Sequence, residues 1–188
     1  MEAKSTSKRW TYAEFARLPE SGSTRYEIID DELVVTPSPG TRHQRIVTRL
    51  VFTLYGFVDT HDLGEVFVSP FDVLFAEGDY LEPDVLFVRK DRADVVTDRG
   101  IEGPPDFVVE VLSPSTAARD RGVKLDRYRL YGVPEYWIVD PHEQTVEVWK
   151  IGEGSVEPAV LGPADALKWQ PVAGDATLQI RVAELFVE

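Results

Sequence analysis

Two apolar runs in this chain carry carboxylates where a buried strand ordinarily has none. One is Glu82-Pro83-Asp84-Val85-Leu86-Phe87-Val88; the other is Pro105-Asp106-Phe107-Val108-Val109-Glu110-Val111-Leu112-Ser113-Pro114. Short runs of this kind, bounded by turn residues, read as buried strands. A buried charge without a partner is too costly to keep, so each acid needs a cation, a metal or strong hydrogen bonds. Asp84 begins its run and Glu110 comes late in its own. If the two strands are antiparallel neighbours, the start of one lies beside the end of the other, and the carboxylates converge. Two convergent carboxylates could hold a divalent metal, the core of a metal-dependent nuclease site.

The composition narrows which metal that could be. The chain has no cysteine and only three histidines, which excludes disulfides, thiolate zinc sites and cysteine nucleophiles. A hard, oxygen-coordinated ion, Mg2+ or Mn2+, fits what remains. The backbone carbonyl of Val111 could add an oxygen ligand to Asp84 and Glu110. Such an ion polarises a phosphoryl oxygen and lowers the pKa of a water. The negative charge that builds during phosphodiester hydrolysis also calls for a nearby ammonium, for which Lys124 is the candidate. From spacing alone Lys124 reads first as an exposed helix lysine paired with Asp120, four residues earlier, and only second as that ammonium. Glu27 could reach the same site or, by strand alternation, face outward. His43 reads as a surface or capping residue, Glu135 as a supporting partner or a strand cap, and Asp106 as structural. Ser113-Pro114-Ser115-Thr116 reads as a turn into a helix N-cap, because no G-x-S-x-G elbow accompanies Ser113.

The net charge of −13 works against phosphate binding, which rewards basic surfaces. Two segments run the other way: Arg42, His43, Arg45 and Arg49, then Arg119, Arg121, Lys124, Arg127 and Arg129. These are either solvated helix faces or contacts to a backbone, so nucleic acid is permitted rather than implied.

Along the chain, Thr11 and Glu14 have capping-box spacing and open a helix through about Leu18. Arg25 to Ile29 and Glu32 to Val35 form a hairpin about Asp30-Asp31. Helical spacing of Ile46, Val47, Leu50, Val51 and Leu54 predicts a helix from His43 to about Phe57. Strands follow at Val66–Ser69, Phe71–Phe75, Pro83–Val88 and Phe107–Leu112, with a loop carrying one helical turn over Arg89–Gly103. A second helix is expected from Thr116 to Tyr131, ended by Gly132. Pro134 to Pro141 is a buried strand, and Thr145–Ile151 and Ala176–Val182 are closing strands. This order gives an α/β (α+β) layer architecture, a mixed β-sheet flanked by helices. Residues 1–9 are expected to be a disordered N-terminus and 10–188 a single domain. No apolar stretch is long enough to cross a membrane and no signal-peptide core precedes Arg9, so the expected location is the cytoplasm.

Several blocks together resemble the Uma2 family of bacterial endonucleases. They are Tyr26 to Leu33, Glu82-Pro83-Asp84-Val85, Pro105 to Thr116, and Lys124 through Tyr131-Gly132-Val133-Pro134-Glu135-Tyr136-Trp137-Ile138-Val139-Asp140-Pro141. The family, also described as a domain of unknown function, belongs to the restriction-endonuclease-like PD-(D/E)xK superfamily. The resemblance runs from about Thr11 to Val182. It implies a core of helix, three-stranded meander, helix and strand. It also implies that Asp84 and Glu110 are the two acids of the superfamily pattern. The lysine expected two positions after the second acid is absent, since Leu112 stands there, and the resemblance suggests that Lys124 takes its role. Glu27 would be the extra upstream acid. Asp31 stands where the family usually has glycine in the hairpin.

Three functions are compatible with these residues. The first is an Mg2+- or Mn2+-dependent DNA endonuclease, acting as a homodimer because double-strand cleavage needs two sites. The second is a catalytically inactive nuclease-fold binding or assembly module, in keeping with the acidic charge and displaced lysine. The third is a two-carboxylate glycosidase, from which a lysine close to both acids would turn the reading back to phosphate chemistry.

Overall fold

The computed structural model describes residues 9–19 and 24–187. The expectation of a disordered segment over 1–9 thus lies, but for Arg9, outside the described residues. In chain order the elements begin with α1 (Tyr12–Phe15), β1 (Thr24–Ile29), β2 (Glu32–Pro37), α2 (Thr41–Thr60), β3 (Gly64–Val68), β4 (Val73–Ala76), β5 (Asp79–Leu81) and β6 (Val85–Arg89). They continue with β7 (Val96–Thr97), β8 (Gly100–Glu102), β9 (Phe107–Val111), α3 (Ala117–Arg119), α4 (Leu125–Leu130), β10 (Glu135–Asp140) and β11 (Thr145–Trp149). β12 (Ala159–Leu161), β13 (Ala166–Trp169), β14 (Leu178–Arg181) and α5 (Val182–Leu185) complete the fold.

The central sheet has the order β12-β11-β10-β9-β6-β3. β6 and β9 are antiparallel, whereas β9 and β10 are parallel and joined across the helical segment between them, as a crossover requires. Strand alternation divides its side chains cleanly. Val85, Phe87, Phe107, Val109, Trp137 and Val139 face α2 and the C-terminal β13–β14 hairpin with α5. Leu86, Val88, Val108, Tyr136 and Ile138 face the opposite way, toward Leu125 and Tyr128 of α4 and toward Ile29, Val73, Leu81 and Ile101. Those last four come from a second sheet of order β2-β1-β5-β4-β8-β7. This is the mixed sheet flanked by helices expected from the sequence.

Three local details depart from expectation. The helix opened by Thr11 ends at Phe15 rather than near Leu18, although the capping box with Glu14 is present. The stretch Arg89–Gly103 contains the expected helical turn, a 3-10 segment over Lys90–Val95, but the rest is not loop: it forms β7 and β8, and β8 adds to β4 in parallel. The helix expected unbroken over Thr116–Tyr131 is interrupted by a π-helical turn, Asp120–Lys124, in which Gly122 leaves helical dihedrals at φ −110°, ψ −106°. Glycine tolerates that backbone, and the buried Tyr136 hydroxyl donates to the Asp120 carbonyl at 3.1 Å. The hairpin turn needs no glycine at Asp31. Asp30 and Asp31 sit at φ 55° and 64°, the left-handed pair that a two-residue turn demands and that aspartate tolerates. Arg127 pairs with Asp30 at 2.5 Å, and Asp31 accepts the Trp10 N–H at 3.0 Å.

Candidate active site

Alternation explains which acids meet. Val85 pairs with Val109 in the β6–β9 ladder, so the next step brings Asp84 beside Glu110. Both have the parity of Leu86 and Val108, which face α4. In β1, Arg25 and Glu27 share the parity of Ile29, which packs into that same layer. The π turn delivers Asp120 and Lys124 from above. These residues line a cavity of about 80 Å3, together with Pro37 to Gly40, His43, Val111, Ser113, Thr116 and Arg119.

Lys124 is only 3 % exposed. Its Nζ lies 2.6 Å from Glu110 Oε1, 2.7 Å from Glu27 Oε1 and 4.0 Å from Asp120 Oδ1. The solvent-exposed alternative for this lysine is therefore wrong, and so is the outward-facing alternative for Glu27, which is buried and also accepts the Glu82 N–H at 3.0 Å. Tyr128 OH donates to Glu110 Oε1 at 2.9 Å. Asp84 is held differently. Arg25 Nη1 donates to its Oδ1 at 3.0 Å, Val111 N–H donates to its Oδ2 at 2.8 Å, and His43 Nε2 stands 3.0 Å from Oδ2.

These surroundings pull the two acids apart. Burial by itself would raise the Asp84 carboxyl, but His43, Arg25 and the Val111 N–H together hold it below the usual carboxylate range. Burial pushes the Glu110 carboxyl well above its usual range; Lys124 opposes this, while Asp120, Asp84 and Glu27 push further upward. Asp120 is likewise raised, first by burial. For Lys124, burial disfavours the charge, yet Glu110, Glu27 and Asp120 more than reverse it, and the ammonium stays protonated. Four carboxylates (Glu27, Asp84, Glu110, Asp120) thus face two fixed cations, Lys124 and Arg25. With all four carboxyls ionised two negative charges would be in excess, an excess that the raised Glu110 and Asp120 carboxyls relieve by taking up protons.

A hard divalent cation fits that surplus. Asp120 Oδ1 is buried without a hydrogen-bond partner, and among the described residues no donor reaches Glu110 Oε2. No group of three or more Asp, Glu or His side chains among the described residues is already spaced as a metal cage. Magnesium, however, is commonly held by one or two carboxylates, with waters and substrate phosphate completing its shell.

Three contributors escape a reading of the sequence. Arg25 had a usable signal, its position two residues before Glu27 on one strand. His43 did not, because it lies in a basic run that resembles a solvated helix start; it is in fact buried against Asp84, not on the surface. Asp120 was visible only as a partner for Lys124. Glu135 is not brought to the cavity: it accepts from Trp137 Nε1 at 2.7 Å and pairs with Lys150 at 2.5 Å. Beside the cavity, sharing Gly40, His43 and Ser113, opens a groove of about 460 Å3 floored by Leu112, Pro114, Ala117 and Pro141.

This architecture is that of the restriction-endonuclease-like fold. The crystal structure of a "putative nuclease belonging to DUF820" from Anabaena variabilis matches it with a TM-score of 0.77, covering 94 % of this chain and 97 % of that one. At 23 % identity the likeness speaks to fold. The chain belongs to the Uma2 family, whose model, described as "Putative restriction endonuclease", matches residues 12–181. The uncharacterized protein sll1609 of Synechocystis sp. is 27 % identical over 156 residues, 81 % of this chain and 88 % of that protein.

Proposed function

We propose that the chain is a divalent-metal-dependent endonuclease that hydrolyses phosphodiester bonds of nucleic acid, DNA in particular, in the cytoplasm and as a homodimer. The family description supports a nuclease. The observation that carries the reading is the buried ammonium of Lys124, set 2.6 and 2.7 Å from two carboxylates in a cavity that also holds Asp84. Asp84, Glu110 and the Val111 carbonyl are the ligands for Mg2+ or Mn2+. Such an ion would supply Lewis-acid polarisation of the phosphoryl group. Lys124 supplies positive charge where the transition state gathers negative charge. Glu27 positions Lys124 opposite Glu110, and Arg25 and His43 orient Asp84. The apolar groove beside the cavity gives a strand room to run past it. An ammonium between two acids suits phosphate chemistry better than glycoside hydrolysis.

Calorimetric titration of Mn2+ and Mg2+ into wild-type protein and Asp84→Ala tests the site. One binding event present in the wild type and absent from the variant is expected, together with nicking of plasmid DNA that Lys124→Ala abolishes. A catalytically inactive module is the second reading, favoured by the occupation of both Asp84 oxygens by protein donors. Absence of metal binding even with an oligonucleotide present would establish it.

A further inference from the structure

The helix α2 buries one face and leaves the other open. Ile46, Val47, Leu50, Leu54 and Val58 enter the core, while Arg45, Thr48, Phe52, Tyr55, Gly56 and Asp59 are all exposed. Those six recur three and four residues apart and so form one continuous stripe. Phe52 is 82 % exposed and Tyr55 56 %, and among the described residues they are the only aromatic side chains that are exposed. Single exposed apolar residues need no explanation, but two large aromatics side by side on a polar helix face mark a contact surface.

The charges on the stripe point to what covers it. Arginines 42 and 45 stand in the first turns and Asp59 in the last, which is the reverse of what the helix dipole rewards. The side chains of Arg45 and Asp59 make no ion pair or hydrogen bond among the described residues. The stripe is symmetric about Phe52 in a useful way. Arg45 lies seven residues before it and Asp59 seven after, while Thr48 lies four before and Gly56 four after. A β-carbon at Gly56 would meet nothing within 4 Å, leaving a shallow recess there.

We propose that this stripe is a twofold interface with a second copy of the chain, in which two α2 helices pack antiparallel and centre on Phe52. Each Arg45 then faces Asp59 of the second copy, and each Gly56 recess receives the opposite helix beside Phe52. Self-complementarity of this kind is what an isologous dimer needs, and close helix approach is favoured where a small residue lies at the crossing. The two charge pairs are reciprocal, so one chain supplies both halves of the match. His43 stands nine residues from Phe52, so the two cavities would lie about 27 Å apart along the paired helices. This inference takes up the two-copy part of the proposed function and not its chemistry; loss of the dimer and loss of cleavage are separate readouts.

Sedimentation velocity across a concentration series, with far-UV circular dichroism to verify the fold, tests it. The wild type is expected at twice the chain mass of 21.2 kDa, and Phe52→Asp as a monomer with an unchanged spectrum. Arg45→Asp alone and Asp59→Arg alone place like charges in contact at both ends and are expected to weaken the dimer by about tenfold. The double variant, with both pairs inverted, is expected to return to within about threefold of wild type. A wild-type monomer overturns the proposal along with the two-copy reading. A Phe52→Asp dimer, or a double variant as weak as the single ones, overturns this face while leaving dimerisation elsewhere to stand. A monomer that loses oligonucleotide binding on Phe52→Asp assigns the stripe to nucleic acid and overturns the proposal as well.

Discussion

The chain has two Pro-Asp pairs, each opening a strand of the same antiparallel ladder, and they lead to opposite ends of it. Pro83-Asp84 opens β6 at the end where β9 carries Glu110 and finishes at Val111, beneath the π turn. Pro105-Asp106 opens β9 at the other end, where β6 finishes with Arg89. Asp106 accepts the Arg89 N–H at 2.9 Å, and its other oxygen takes Arg92 Nη1 at 2.9 Å. Arg92 also donates to the Pro104 carbonyl at 2.8 Å. That acid ties a turn to a strand end, and no second buried carboxylate of the cavity stands beside it. Asp84 is as firmly held, but its neighbours are three further acids and an ammonium. The local motif is the same; strand direction decides which copy meets an excess of charge.

The largest expected effect breaks that comparison through activity. Asp84→Asn keeps the side-chain shape and an acceptor for the Val111 N–H, yet removes a charge. Cleavage is expected to fall at least about a hundredfold, while Asp106→Asn stays within about threefold. Single-turnover nicking with Mn2+ measures both, and equal losses would dissolve the distinction.

Lys124→Met comes next. It leaves Glu27 and Glu110 buried without their shared cation, a loss of about 3–5 kcal/mol of stability, read from urea unfolding at pH 8. Because those acids can then be neutralised by protons, the deficit should shrink as pH is lowered toward 5. A variant as stable as wild type at pH 8 would mean that the ammonium is not what holds the acids together.

A third test uses Glu82, the residue before the first Pro-Asp pair. Burial lifts its carboxyl to about 7, with Ser69 and Arg25 pulling it back and Glu27 and Asp72 adding to the rise. A carboxyl raised in the folded state stabilises below its unfolded value, and that contribution is lost as pH rises through the folded one. Glu82 therefore contributes a fall in stability between about pH 4.5 and 7, on the order of 2 kcal/mol. Glu82→Gln retains an acceptor for Ser69 Oγ and should flatten the pH profile of thermal unfolding over that window. Asp84, whose carboxyl is held low, works in the opposite sense: its contribution is present above its unfolded value and lost as pH falls.

The smallest effect belongs to Asp106→Asn, which weakens the clamp on Arg92. A loss of about 1–2 kcal/mol is expected in urea unfolding, with metal binding by calorimetry unchanged.

The sequence carried the layer architecture because hydrophobic period and turn residues are local signals. The β6–β9 ladder, α2 and the crossover all follow from them. The two acids were legible for the same reason, as charges set against an apolar pattern. What escaped was set by tertiary packing. His43 reads as one more basic residue until the second strand of the site is laid against α2. The π turn leaves only Gly122 as a trace, since winding depends on what the segment is packed against. β7 and β8 are too short to outweigh the charges around them, and β8 exists because β4 offers it an edge. Arg25 could have been found by carrying the parity of Glu27 two residues back.

The π turn has one more consequence, for chain counting. Each residue of an ordinary α-helix advances the winding by about 100°, so the wide turn amounts to one surplus residue threaded between Thr116 and Lys124. Because the turn absorbs that residue, deleting Gly122 would let the segment rewind as a regular helix with Lys124 close to its present bearing. Deleting Asp126 from the regular helix that follows has no such slack, and would swing Tyr128 about a quarter of a turn away from Glu110 although every side chain of the site is still written in the gene. In this chain the length of a segment is as much a part of the site as the residues that line it.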